Sequence, residues 1–163
     1  MAAKQSVNSA NTNPVPRLAE IIAAHGHVAG PTLPTLHAIQ AEFGHIPAEA
    51  IQMIADAENR SRAEIHGVVS FYHDYRETPA GRHVVKVCRA EACQAMGGEA
   101  VAAHVAERLG LGFGETAADG GVTLENVYCL GLCATAPAAQ IDERPCGRLT
   151  PERADRLLAG LIR

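Results

Sequence analysis

Apolar positions recur at helical spacing through the first half of the chain and give way to β-branched runs in the second. Leu18, Ile21 and Ile22 make a short stripe that stops at the loop 25–31. Leu36, Ile39 and Phe43 repeat that spacing, and Gly44 supplies a C-terminal stop. Ile51, Ile54 and Ala55 form a third stripe after Pro47. Ser61 and Glu64 have the spacing of a capping box, in which the hydroxyl accepts from a first-turn amide and the carboxylate reaches back. Ile65, Val68, Val69 and Tyr72 follow at i, i+3, i+4 and i+7, one continuous face. The pattern predicts a small helical bundle over 16–79, with a polar, disordered tail over 1–15 before it.

Thr78, Pro79, Ala80 and Gly81 break the pattern. A short β-branched strand is predicted over 83–87, running straight into Cys88. An amphipathic helix over 99–109 carries Val101, Ala102, Val105, Ala106 and Leu109 on one face, with Gly110 ending it. A second strand over 122–128 leads into Cys129, and 138–141 with 144–149 read as a closing pair. Thr150 as N-cap and Pro151 at the first helical position open a final helix. Strand, helix, strand, strand, strand, helix is the order of a thioredoxin-like α/β layer. The fold class is therefore α+β: a helical bundle, then a thioredoxin-like domain over 80–163.

Composition narrows the function. The 163 residues are 47% hydrophobic, enough for a core. A net charge of −4 argues against a nucleic-acid or anionic-membrane binder, which would be basic. No apolar run approaches the roughly 18 residues of a membrane span. The N-terminal stretch has neither the apolar centre of a secretory signal nor the early Arg of a transit peptide. The expected location is the cytoplasm, where structural disulfides are rare, and five cysteines fit a disulfide framework badly.

Four of those cysteines read C-x4-C-x35-C-x3-C, at Cys88, Cys93, Cys129 and Cys133, each pair just after a predicted strand. Thiolates on loops at the same end of adjacent strands converge on one site. Four thiolates are the usual complement of a [2Fe–2S] centre, whose negative charge calls for nearby amide donors. Gly97, Gly98 and Gly131 let the backbone approach closely enough to supply them. The spacing leaves two other readings open: structural zinc, which suits Cys129 and Cys133 best, and cysteines buried without a ligand. A thiol-exchange enzyme needs C-x-x-C, which is absent. Cys146 stands alone and reads as a small buried hydrophobe. None of the eight His makes an i, i+4 metal pair with a general-base Glu, and the carboxylates form no paired site. The 110–114 glycine-rich stretch follows a helix instead of opening one, so it is no phosphate loop. Nothing in the sequence points to catalysis by this chain alone.

Beyond spacing, short matches run through nearly the whole chain from about Pro16. They include His66-Gly67-Val68-Val69-Ser70-Phe71-Tyr72, Val87 and Cys88 through Cys93 with Gly97, and Gly114-Glu115-Thr116. They continue with Cys129-Leu130-Gly131-Leu132-Cys133-Ala134-Thr135-Ala136-Pro137 and Leu149-Thr150-Pro151-Glu152. Together these resemble the 24-kDa-type [2Fe–2S] subunit of NADH:quinone oxidoreductase and its relatives in NAD-linked hydrogenases and formate dehydrogenases. The loop from Arg89 to Gly98, with Gln94 where respiratory members carry a bulky aromatic, looks most like the γ subunit of soluble, molybdenum-containing formate dehydrogenase. The resemblance implies a [2Fe–2S] cluster on Cys88, Cys93, Cys129 and Cys133. It also implies a flavin subunit bearing FMN, a [4Fe–4S] cluster and the NAD site, and beyond it a molybdenum-containing catalytic subunit. The helix carrying Val68, Phe71 and Tyr72 is expected to bury them in its own bundle, with the flavin subunit as the other candidate.

Overall fold

The structure is a computed structural model that describes residues 13–161. The tail expected over 1–15 therefore falls mostly outside the described residues; Pro14 is already the N-cap of the first helix. The chain divides into two compact units, one ending at Pro79 and the other beginning at Ala80.

The first unit is four helices: α1 (Val15–His25), α2 (Thr32–Phe43), α3 (Ala48–Glu58) and α4 (Arg62–Phe71). Their boundaries follow local chemistry. Gly44, at φ 74°, turns left-handed and returns its amide to Gln40, closing α2. The Ser61 hydroxyl accepts from the Glu64 amide while the Glu64 carboxylate accepts from the Ser61 amide, the full capping box at the start of α4. Leu18, Leu36, Ile39, Ile46, Ile54 and Ile65 are sealed in one core, each contributing on the order of 1.5–3 kcal/mol by leaving water. Val68 packs partly against that core. Phe71 and Tyr72 do not, contrary to expectation: they are 72% and 44% exposed. Phe71 is the last helical residue and Tyr72 is already extended, so Tyr72 leaves the helical face, and the two rings meet edge-on 5.2 Å apart.

The second unit is a four-stranded mixed sheet of order β2-β1-β3-β4 with helices along it. Strand β1 (His83–Cys88) pairs parallel with β2 (Val122–Val127) and antiparallel with β3 (Ala139–Ile141), which pairs with β4 (Arg144–Cys146). A short helix, α5 (Glu91–Ala95), and a 3-10 turn (Cys133–Thr135) occupy the segments that carry Cys93 and Cys133, where the sequence reading placed no element. Val85 and Val87 of β1, Leu124 of β2 and Ala139 of β3 share the core with α6 (Gly98–Leu109) and α7 (Pro151–Leu158). As anticipated, Thr150 caps α7 through the Arg153 amide. His104 and Arg108 of α6 both reach Asp155 of α7, at 3.0 and 3.3 Å.

Two further details differ from expectation. Strand β4 stops at Cys146 instead of continuing to 149, because Gly147 and Arg148 leave the sheet and the Arg148 amide bonds the Thr135 carbonyl. Cys146 is half-buried at the edge of the core, not enclosed by it. Among the described residues no helix is long and apolar enough to cross a membrane.

Candidate metal centre

The parallel register sets Cys88 beside Val127, so β1 and β2 end together. The Arg89 amide then bonds the Val127 carbonyl at 2.8 Å and fastens the two outgoing loops to each other. Cys88 is the last residue of β1, and Cys93 lies in α5, whose first turn is closed by the Cys93 and Gln94 amides on the Ala90 carbonyl. On the other loop Cys129 adopts φ 94° and Gly131 φ 74°. A left-handed cysteine is an unfavourable conformation that persists only where its surroundings impose it, and such residues gather at functional sites.

The four sulfurs form two close pairs. Cys129 and Cys133 lie 3.6 Å apart, and the Cys88 and Cys93 thiols are in hydrogen-bonding contact. Each pair also feels the other, since the charge of Cys88 acts on Cys133. A tetrahedral zinc needs four donors around a single centre, whereas a [2Fe–2S] rhomb has two irons, each taking two thiolates. Two pairs of thiols, one of them 3.6 Å apart, are compatible with the second arrangement.

Backbone amides surround the sulfurs. Burial alone would raise the Cys88 thiol, but the amide of Ala90, the Cys93 thiol and the amides of Cys129 and Leu130 together outweigh it and hold it below the ordinary range. Cys93 is pushed up, by burial first and then by Cys88, while the Ala138 amide pulls the other way. Cys133 is raised by its hydrogen bond with Cys129 and by that neighbour's charge. A cation that took both Cys88 and Cys93 as thiolates would displace their protons. Cys88, Cys93 and Ala138 are buried, with Ala90, Val127, Leu130, Leu132 and Ala136 packed around them as an apolar jacket. The donor set, the amides and the jacket fit an anionic cluster.

The three glycines singled out by sequence do different work. The Gly131 amide donates to the Cys129 sulfur at 3.4 Å. Gly97, at φ 84°, spends its amide on the Gln94 carbonyl. Gly98 matters for space, because a Cβ there would stand 2.5 Å from the Cys93 carbonyl oxygen. Ala90, Leu130 and Ala138, whose amides face sulfur, carry no sequence signal, since every residue but proline has an N–H.

Comparison with known proteins agrees with this chemistry. The thioredoxin-like [2Fe-2S] ferredoxin family matches residues 18–162. The chain is 35% identical over 142 residues to an NADH-quinone oxidoreductase subunit of Mycobacterium tuberculosis, covering 87% of this chain and 56% of that relative. It is 33% identical to the NADP-reducing hydrogenase subunit HndA of Solidesulfovibrio fructosivorans, covering 80% and 76%. An NAD+-reducing [NiFe]-hydrogenase crystal structure superposes with a TM-score of 0.65 at 28% identity, over 77% of this chain and 22% of that one. The chain thus spans about half the mycobacterial relative and a fifth of the hydrogenase chain. It belongs to the thioredoxin-like [2Fe-2S] ferredoxin family, whose members carry a [2Fe–2S] cluster.

Proposed function

We propose that this chain is the electron-transfer subunit of an NAD-linked oxidoreductase complex, with its cluster on Cys88, Cys93, Cys129 and Cys133. It would dock on a flavin subunit that carries FMN, a [4Fe–4S] cluster and the NAD site. The observation that carries this reading is the asymmetry of the sulfur site. Cys88 and Cys93 are sealed, while Cys129 and Cys133 open to the surface, as do Tyr128 and Met96 on the same two loops, 74% and 63% exposed. When bound, the cluster supplies a site that holds one electron. The chain's own residues set its terms. Amides of Ala90, Leu130, Gly131 and Ala138 offset negative charge on the sulfurs, and the jacket keeps water from the sealed pair. The exposed pair leaves little protein between the cluster and a partner. The NADH, NADP and NAD+ in the relatives' names support the nicotinamide link.

Within this class the loop from Arg89 to Gly98 favours a cytoplasmic formate dehydrogenase, with a molybdenum-containing subunit oxidising formate to carbon dioxide. The respiratory and hydrogenase complexes named for the relatives are the second reading. An affinity-tagged copy of the full chain, purified from its own cells with its partners, separates them. Formate-dependent reduction of NAD+ by the purified complex is the expected result. Reduction by hydrogen, or NADH oxidation coupled to quinone, would reassign the complex.

A further inference from the structure

Arg89 follows the first ligand directly and makes contacts in four directions. Its amide bonds the Val127 carbonyl at the end of β2 at 2.8 Å. Its carbonyl accepts from the Gln94 side-chain amide at 2.8 Å, so the residue after Cys88 is stitched to the residue after Cys93. Its guanidinium forks onto the Glu99 carboxylate, with Nε at 3.3 Å and Nη2 at 2.6 Å, in the first turn of α6. It also lies over the Phe113 ring, 5.2 Å from the ring centre. The start of α6 is in turn pressed against Cys93, where Gly98 leaves no room for a Cβ. The Cys88–Cys93 loop is thus held on one side by a strand end and on the other by a helix start, through a single residue. A planar guanidinium can make the fork and the ring contact together; a lysine ammonium cannot.

We propose that Arg89, seconded by Gln94, is a positioning residue for the cluster: it fixes the Cys88–Cys93 pair in the attitude that faces Cys129 and Cys133. The proposal rests on these four cysteines being the ligands. Neither side chain needs to touch iron or sulfide, and both act through the loop backbone, as outer-shell residues do in other metal sites.

The test compares Arg89→Lys and Gln94→Leu with wild type in the full chain carrying its reconstituted cluster. Arg108→Gln, about 14 Å along α6 from Glu99 at 1.5 Å per residue, is the control. Arg89→Lys keeps the charge and Gln94→Leu is neutral for neutral, so neither changes the net charge at the site. Both variants are expected to release iron to a chelator about 10-fold faster than wild type. The clusters that remain should show a shifted midpoint potential and altered EPR g-values, with Arg108→Gln behaving as wild type. Wild-type potential and g-values in both variants would overturn the proposal, however quickly iron is lost, because that pattern describes stability without positioning. Wild-type protein that takes up no iron and sulfide would instead overturn the ligand assignment beneath it.

Discussion

The two halves of the cysteine site are built differently. Cys88 and Cys93 are 3% and 2% exposed and sit on regular structure, the end of β1 and the short α5. Cys129 and Cys133 are exposed: Cys129 lies on a loop left-handed at both Cys129 and Gly131, and Cys133 opens the 3-10 turn. The sealed pair is held by the sheet, by α6 and by an apolar jacket. The open pair is held by its own turn and by the Gly131 amide. One side is enclosed and the other is open to the surface, a division that suits the proposed role.

The sharpest way to break that contrast is to exchange the sulfurs one at a time. Cys88→Ser and Cys93→Ser are expected to lower bound iron about 10-fold or more, because a serine there leaves a buried donor poorly matched to iron. Cys129→Ser and Cys133→Ser should keep a measurable fraction of cluster with a shifted EPR spectrum, since an exposed site admits an oxygen ligand and water. Equal loss from all four, by iron and sulfide analysis, would erase the distinction. Next in size, Gly98→Ala must move α6 off Cys93 and should destabilise the second unit by about 1–3 kcal/mol, with faster cluster loss. A denaturant titration with and without the cluster checks it.

The smallest effect belongs to the first unit. Ser61→Ala removes the α4 cap and is expected to cost about 1 kcal/mol without altering the EPR spectrum. The Glu64 carboxyl is held below its usual range by the Ser61 amide and then by its hydroxyl. A depressed carboxylate stabilises above its unfolded pKa and loses that contribution as pH falls through the lower folded value. The difference between wild-type and Ser61→Ala melting temperatures should therefore shrink as pH drops below about 4.

Much of this organisation was legible in the sequence because it is local. The stripes Leu18-Ile21, Leu36-Ile39 and Ile51-Ile54 became the bundle core, the Ser61 box formed, and Gly44 and Gly110 ended helices as left-handed residues. Other features depend on what lies far off in the chain. Helix α5 has five residues, too few for an apolar period. The early end of β4 follows from Arg148 meeting Thr135, which closes the 3-10 turn at Cys133. Tyr72 misled because its spacing is helical while the helix stops one residue before it, and Phe71, though helical, is exposed. The cysteine spacing was plain, but the amides that face the sulfurs belong to Ala90, Leu130 and Ala138, chosen by backbone direction and not by residue type.

The role of the site rests on the two cysteine pairs holding one [2Fe–2S] cluster. Iron and acid-labile sulfide analysis with EPR of the anaerobically reduced chain tests this most directly, alongside Cys146→Ser. About two iron and two sulfide per chain with a rhombic S = 1/2 signal, unchanged in Cys146→Ser, is the expected result. Zinc without sulfide or signal, or loss of the signal in Cys146→Ser, would contradict it.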